Sequence, residues 1–370
     1  MIETRIRIRR GVLGVLCCAA TLAALAAPAQ AGGLKAIWGP TELGPGNAAC
    51  PTAQRCSAFP VYQRLGVDVF QYQIHWDEIA PTKPRNPRDP DDPAYNWGAL
   101  GRIATEAERN GIRLALLIQR APGWANGGRS AIWAPRGARG ARAFADFAYA
   151  ASRRLPSVHM WMIWGEPARS ENFRPMPANR PRGPRLYARI LDAAYGALKA
   201  ADRRNVVIGA MTLNGGTVMP TLFARYMKLP NGRPPRMDLW GHNPFDGRFP
   251  NLAADPIGRF RGFNDIDTLH REIRAYYRRG HRKVPRLWLS EWTVISDKPS
   301  RIFLNFHVSA RRQAGWLRAA FRIASRTPYV AGLGWFSLLD EPPARGSANW
   351  GLLRSDGAPK PAYNAYRRAR

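Results

Sequence analysis

Histidine and cysteine are scarce in this chain of 370 residues, which holds six histidines and four cysteines. The histidines are scattered, so nitrogen and sulfur ligands do not come together at the spacing of a metal site. We therefore expect no metal and no cofactor. Lysine is also rare, since only seven of the 56 basic residues are lysine, and the chain has just 26 acidic residues. The resulting charge is strongly positive.

The formal net charge is +30, and it is +27 once the first 31 residues are set aside. Such a charge favours an anionic partner, for example an acidic polysaccharide, a cell-wall polymer, a membrane surface or nucleic acid. Arginine is spread over the whole chain, however, which is more typical of a biased genome composition. No signature of a nucleic-acid-binding module is present, so we set nucleic acid aside. Electrostatic association with anionic cell-wall polymers stays open.

Residues 1–31 have the pattern of a cleaved signal peptide. Four arginines precede an apolar run over residues 11–27, and Ala29-Gln30-Ala31 is a small-residue cleavage site. The alternative is an uncleaved anchor, but the apolar run is short for a membrane span and ends at a proline. We therefore expect a secreted protein. In an oxidising compartment, Cys50 and Cys56 are then expected to form a disulfide bond across one loop.

Residues 32–370 read as one domain in which strands and helices alternate. The predicted strands are residues 34–38, 66–73, 112–118, 158–165, 206–211, 237–242, 286–291 and 330–339. Predicted helices separate them, including a long one over residues 303–324. Such alternation predicts a parallel sheet, and eight repeats predict closure. The expected fold class is α/β, a (β/α)8 TIM barrel, and we expect a monomer.

Two buried strands end in a carboxylate. The fourth predicted strand ends at Gly165-Glu166-Pro167, and the seventh at Ser290-Glu291-Trp292. The carboxyl ends of barrel strands are where catalysis takes place, and a buried charge there is costly unless it is used or paired. Pairing with one of the many arginines would explain a single glutamate. Two carboxylates facing each other across a barrel are what retaining glycoside hydrolysis requires.

The chain resembles the retaining glycoside hydrolases of clan A, in the style of families 5 and 39. The resemblance is carried by stretches that follow in the family's order and cover nearly all of residues 32–370. They are Gly66-Val67 with His75-Trp76-Asp77-Glu78-Ile79, Gly111-Ile112-Arg113-Leu114 to Pro122-Gly123-Trp124, Trp164-Gly165-Glu166-Pro167, Ser290-Glu291-Trp292, Gly334-Trp335-Phe336 and the ending from Gly351 to Tyr363. The resemblance implies that Glu166 is the general acid/base and Glu291 the nucleophile.

Two departures from the family concern the site. The family usually has asparagine before the acid/base, where it binds the sugar 2-hydroxyl, and this chain has Gly165. Where an aromatic hydroxyl often supports the nucleophile, this chain has Phe245, so His242 or Asn243 would have to do so. The other candidate substrate-binding residues are tryptophans, because aromatic faces stack on sugar rings: Trp38, Trp124, Trp164, Trp292 and Trp335. Gln73 and His75 are candidates for binding substrate hydroxyls.

The sequence therefore predicts a secreted glycosidase that cleaves a β-linked polysaccharide or oligosaccharide by double displacement. The alternative is a catalytically weak barrel that binds cell-surface or wall polysaccharide. Gly165 and the basic charge favour that alternative, whereas the presence of both carboxylates favours the enzyme.

Overall fold

The computed structural model describes residues 33–301, 305–344 and 346–369. The predicted signal peptide lies outside the described residues. Within the described ranges, no helix is both long and apolar enough to cross a membrane. The described residues belong to one compact unit.

The strands confirm the predicted barrel. They are β1 (Leu34–Trp38), β2 (Glu42–Leu43), β3 (Cys56–Ser57), β4 (Val69–His75), β5 (Arg113–Gln119), β6 (Met160–Ile163), β7 (Val206–Leu213), β8 (Leu239–Asn243), β9 (Arg286–Trp292) and β10 (Val330–Phe336). The short strands β2 and β3 form an antiparallel pair. The other eight are parallel and close into a barrel in the order of the sequence, so β6 and β9 are its fourth and seventh strands.

Helices surround the barrel and bury one face against it. They are α1 (Phe59–Arg64), α2 (Trp76–Ile79), α3 (Leu100–Arg109), α4 (Gly123–Asn126), α5 (Gly137–Arg154), α6 (Arg182–Ala201), α7 (Pro220–Tyr226), α8 (Ile266–Arg279), α9 (Ala310–Arg326) and α10 (Pro361–Arg368). In α6, for example, Tyr187, Leu191, Ala194 and Leu198 are buried at helical spacing. The fold therefore follows from period-3.6 patterns between uniformly apolar strands.

Two local expectations have clear outcomes. Cys50 and Cys56 are joined by the predicted disulfide bond. The long helix predicted over residues 303–324 is wrong at its beginning, because α9 begins at Ala310. Ser309 caps it by accepting a hydrogen bond from the backbone N–H of Arg312, so the described residues before it belong to a loop.

Strand β9 contains a bulge next to the predicted nucleophile. Leu289 pairs with Leu333 of β10, but the next pair is Trp292 with Trp335, so β9 has one more residue than β10 in this interval. The extra residue breaks the alternation of side chains. As a result Glu291 turns into the cleft described below, while Trp292 packs in the apolar layer between the barrel and the helices.

The bulge is fixed by Ser290 and by the strands around it. The Ser290 carbonyl accepts hydrogen bonds from Gln71 Nε2 (2.8 Å) and from the indole of Trp38 (3.1 Å), and its hydroxyl donates to Gln71 Oε1 (2.9 Å). On the other side, a Cβ at Gly334 would lie 2.0 Å from the Ser290 carbonyl oxygen. Only glycine permits this approach between the two strands.

Candidate active site

A cleft of 1310 Å³ opens at the carboxyl ends of the barrel strands. Both Glu166 and Glu291 line it, as the sequence predicts for the two carboxylates of a barrel active site. Aromatic side chains from the end of β10 and from several loops contribute further walls: Phe336 from the strand, and Phe245, Phe260, Phe306 and Trp350 from the loops. The cleft therefore combines paired carboxyl groups with apolar faces, which is the composition of a sugar-binding pocket.

Glu166 lies on a sharply turning segment after β6. Trp164 and Glu166 both have positive φ angles, +61° and +44°, in a region that residues other than glycine seldom adopt. Backbone strain of this kind is common at functional sites, where the surrounding structure holds it. The carboxylate accepts hydrogen bonds from Arg169 (2.8 Å) and Asn172 (3.3 Å) at Oε2 and from Asn243 (3.0 Å) at Oε1.

Glu291 lies at the other wall of the cleft, on the bulge of β9. Burial and the negative charge of Glu166 raise the pKa of Glu291 to about 8, against a smaller opposing effect of its hydrogen bond with Asn243. At neutral pH the carboxyl group of Glu291 therefore keeps its proton. A raised pKa of this kind is common for carboxyl groups at active sites.

Asn243, the last residue of β8, lies beside both carboxyl groups. Its side-chain amide donates a hydrogen bond to Glu166 Oε1 at 3.0 Å, and its interaction with Glu291 opposes the rise in the pKa of that carboxyl group. Asn243 thus has the supporting position that the sequence left open between it and His242.

His242 does not share that position. It is fully buried, and burial lowers its pKa to about 4, so its ring is neutral. One ring nitrogen lies 2.8 Å from the Thr212 hydroxyl and the other 2.7 Å from the Arg261 carbonyl oxygen. With both nitrogens used in this way, His242 holds the loop after β8, and the prediction that it binds substrate is wrong.

Gln119 fills the space that the missing side chain at Gly165 leaves. A Cβ at Gly165 would lie 2.8 Å from Gln119 Oε1, which accepts a hydrogen bond from the Gly165 N–H at 3.3 Å. Gln119 ends β5 and lines the cleft beside Glu166. Among the described residues its Nε2 has no hydrogen-bond partner, so an amide donor remains free to bind a ligand.

The predicted tryptophans lie mostly in the core. Trp164, Trp292 and Trp335 are almost completely buried and do not line the cleft, so the expectation that they stack on sugar is wrong. Side chains alternate along β10, so Trp335 faces the helices while its neighbour Phe336 faces the inside of the barrel and reaches the cleft. Trp350 packs on Phe336 at 4.8 Å and completes this wall.

The remaining aromatic candidates are also structural. Trp38 is buried and donates to the Ser290 carbonyl, so it supports the bulge instead of touching a ligand. Trp124 packs edge-on against Trp76 at 5.3 Å, and its indole donates to the Ala80 carbonyl. Neither side chain lines the cleft.

Polar groups at the end of β4 form a side wall. Gln73 lines the cleft, and its Nε2 lies 2.5 Å from His75 Nε2. His75 itself contacts Glu78 at 2.7 Å and does not line the cleft. His75, Asp77 and Glu78 are close enough to hold a metal ion. The Arg120 guanidinium lies 2.9 Å from Glu78 and 3.2 Å from His75, so a cation is already supplied by the protein.

Several residues of the cleft were not predicted from the sequence. Arg169, Asn172, Phe260, Phe306 and Trp350 come from loops, where neither periodicity nor a strand end marks a position. Gln119 and Phe336 could have been found, because Gln119 directly follows one predicted barrel strand and Phe336 lies in another, and they end the observed strands β5 and β10.

Replacing Glu291 by glutamine is expected to stabilise the protein near pH 8, by about 1–3 kcal/mol, and to change its stability little near pH 4. The unfolded glutamate ionises with a pKa of about 4.3. The folded group keeps its proton up to a pKa of about 8. The stability of the protonated folded form is therefore complete below about pH 4 and is lost as the pH rises to 8.

Glutamine does not ionise and so avoids this loss. Calorimetric melting of both proteins at pH 4, 6 and 8 measures the difference. An increment in Tm that is equal at all three pH values would contradict the raised pKa.

Comparisons with known proteins find similar structures but no similar sequence. No known family model matches the sequence, and no curated protein sequence matches it. A family 39 glycoside hydrolase from Bacteroides cellulosilyticus is similar with a TM-score of 0.63 and 17% identity, covering 91% of this chain and 63% of that one. A monomeric β-xylosidase from Caulobacter crescentus has a TM-score of 0.59 and 16% identity, covering 91% and 68%.

A family 39 enzyme from Xanthomonas axonopodis has a TM-score of 0.59 and 16% identity, covering 90% of this chain and 65% of that one. The chain thus spans about two thirds of the length of these structures. At such low identity the likeness concerns the fold. The similar structures include family 39 glycoside hydrolases, in agreement with the resemblance of the sequence motifs. In its fold, this chain is a (β/α)8 barrel similar to that of family 39 glycoside hydrolases.

Proposed function

We propose that the protein is a secreted retaining glycosidase that cleaves a β-linked polysaccharide or oligosaccharide. The observation that carries the proposal is that Glu166 and Glu291, from the fourth and seventh barrel strands, line one cleft and interact electrostatically, which is the arrangement of two carboxyl groups that glycoside hydrolysis uses. The β-xylosidase among the similar structures supports a β-linked substrate and a monomeric enzyme. Secretion follows from the signal-peptide pattern of residues 1–31.

Glu166 and Glu291 have different roles in this reaction. Glu166 gives its proton to the glycosidic oxygen while a carboxylate oxygen of Glu291 attacks the anomeric carbon, so the bond to the leaving sugar breaks as the bond to the enzyme forms. Glu166, now ionised, then takes a proton from water. The water oxygen attacks the same carbon and releases Glu291, which restores the starting configuration.

The pair must redistribute its proton before the first step. In the ligand-free site Arg169 contacts the Glu166 carboxylate at 2.8 Å. The raised pKa of Glu291 means that Glu291 carries the proton. Reaction requires the opposite arrangement. A glycosidic oxygen at Glu166 Oε2 would compete with Arg169 for that carboxylate, and a developing positive charge at the anomeric carbon would favour ionised Glu291.

The Arg169–Glu166 ion pair also favours a second candidate function, a barrel that binds polysaccharide with little turnover. An acid/base group that is bound to an arginine must first release that partner before it can meet the glycosidic oxygen. The two candidates differ in turnover and agree on the ligand class.

A glycan panel tests the proposal. Plant, fungal and bacterial polysaccharides are incubated with the purified protein, reducing-end release is measured, and NMR follows the anomeric configuration of the first product. Release with retained configuration is expected. An inverted first product would exclude Glu291 as a nucleophile, and tight glycan binding without release would establish the binding barrel instead.

Replacing Gln119 by alanine is expected to lower kcat about 10–100-fold while KM changes little. Gln119 lies beside Gly165 in the cleft, and we expect its free Nε2 to bind the hydroxyl next to the anomeric carbon. Hydrogen bonds to that hydroxyl strengthen in the transition state. The measurement compares an aryl glycoside with its 2-deoxy analogue. The wild type should prefer the hydroxylated substrate, and the variant should lose that preference.

Gln73→Ala is the matched control, because Gln73 also lines the cleft but its amide contacts His75. If Gln119→Ala keeps the wild-type preference between the two substrates, Gln119 does not read this hydroxyl.

A further inference from the structure

Large apolar side chains that are strongly exposed occur at one place in the described parts of the chain. They are Phe249 (53% exposed), Ile257 (55%), Phe260 (48%) and Phe306 (36%). Three belong to the loop after β8 and one to the loop after β9, and both loops stand at the mouth of the cleft. An apolar patch at a cleft mouth indicates a surface that a ligand covers.

Beside the cleft these loops and the start of α9 enclose a second depression of 690 Å³, which we name the rim groove. Its walls include Phe249, Phe306, Trp316, Arg311 and Arg312. The rings of Phe249 and Phe306 each lie 5.8 Å from Trp316, so the three form a continuous aromatic wall. The groove thus offers aromatic faces and two guanidinium groups on one surface.

The rim groove is continuous with the cleft. Gly247 and Phe306 line both depressions. A ligand that is longer than the cleft can therefore leave it over Phe306 and enter the rim groove. The glycan chain that the proposed function places in the cleft is such a ligand.

The two arginines of the rim groove do not stabilise the described parts of the chain through ion pairs. Both are exposed, and neither forms an ion pair with an acidic residue in the described parts of the chain. Asp297 at the same end of α9 accepts a hydrogen bond from the Ala310 N–H and lies 3.9 Å from Arg354. Cations in the first turn of a helix also oppose its dipole.

We propose that the rim groove binds carboxylate-bearing sugar units of the same polysaccharide whose glycosidic bond lies in the cleft. The inference rests on the proposed function and names its substrate class, an acidic polysaccharide. Arginine forks bind carboxylates in two-point contacts, and aromatic rings stack on the apolar faces of sugar rings. A polymer of alditol phosphates would satisfy the arginines but has no ring for the aromatic wall.

The test uses the full-length protein carrying Glu291→Gln, which binds without turnover, and measures its affinity for a uronate-containing polysaccharide and for the same polymer after reduction of its carboxyl groups. Adding Arg311→Gln and Arg312→Gln is expected to weaken binding of the acidic polymer about ten-fold at low salt. Binding of the reduced polymer should stay the same. Phe249→Ala is expected to weaken binding of both.

Arg322→Gln with Arg326→Gln is the matched control. Both residues are exposed on the same helix, and their substitution removes the same charge far from the groove. An equal loss in this control would show that only the overall charge matters and would overturn the proposal. Stronger binding of a teichoic-acid-type polymer than of the uronate polymer would overturn it as well. Binding is measured on a variant that does not hydrolyse the glycan, so this test is independent of cleavage. If the groove binds the acidic glycan but the wild type never cleaves it, the proposed function is refuted and the inference about the groove stands.

Discussion

Replacing Glu291 by glutamine is expected to lower kcat at least 10⁴-fold on any glycan that the wild type cleaves, which corresponds to about 5.5 kcal/mol of transition-state stabilisation. The substitution keeps the shape of the side chain but removes the nucleophilic carboxylate, so the covalent intermediate cannot form. Reducing-end release measures the loss. A covalent intermediate trapped by mass spectrometry on the Glu291 peptide of the wild type would be absent from the variant.

The control is Glu171→Gln, because Glu171 lines the same cleft but its side chain is 63% exposed. This variant should keep activity within about two-fold. The increase in stability that we expect for Glu291→Gln near pH 8 separates lost chemistry from lost folding. A Glu291→Gln enzyme that retains a tenth of the wild-type kcat would show that another residue attacks the sugar.

Replacing Lys360 by methionine is expected to destabilise the protein by about 3–5 kcal/mol. Lys360 and Asp340 form an ion pair of 2.8 Å, with side chains only 0% and 5% exposed. Burial lowers the pKa of Lys360 and raises that of Asp340, each against the attraction of its partner. Removing the amino group alone would leave a buried carboxylate without its cation, which is costly.

Lys360 also holds one wall of the cleft. Its amino group donates to the Asn349 carbonyl at 3.2 Å, and Asp340 accepts from the Gly351 N–H at 2.8 Å, so both neighbours of Trp350 are tied to this pair. Urea unfolding of Lys360→Met measures the effect, with the exposed Lys228→Met as control. Adding Asp340→Leu to Lys360→Met should recover part of the loss. A single variant as stable as the control would show that the ion pair adds no net stability.

The barrel could be predicted from the sequence because each of its strands is an apolar run between helical patterns. Glu166 and Glu291 could be found for the same reason, since each carboxylate interrupts such a run at its end. The predicted barrel therefore puts the two residues on opposite walls without any information about their contacts. Asn243 was a candidate for another reason, because the resemblance to the family places its segment where a polar group supports the nucleophile.

The tryptophans show where this approach fails. Stacking on sugar was expected of Trp335 and Trp292, yet the direction of a side chain depends on strand register, which a uniformly apolar strand does not reveal. The bulge in β9 then shifts the register by one residue just before the cleft. Residues on loops, such as Arg169 and Trp350, depend on contacts between segments far apart in the sequence, and no local pattern encodes those contacts.

The contact between Gly334 and the Ser290 carbonyl gives a rule for comparing related sequences. A Cβ at position 334 would lie 2.0 Å from the Ser290 carbonyl oxygen, so β9 and β10 would have to move apart beside the bulge. We expect this movement to displace the carboxylate of Glu291 from the cleft. A relative that has the glutamate but a larger residue in place of Gly334 is therefore expected to be inactive. Its glutamate would align with Glu291 in sequence but would not point into the cleft. One glycine, on a strand that carries neither carboxylate, can thus separate active relatives from inactive ones.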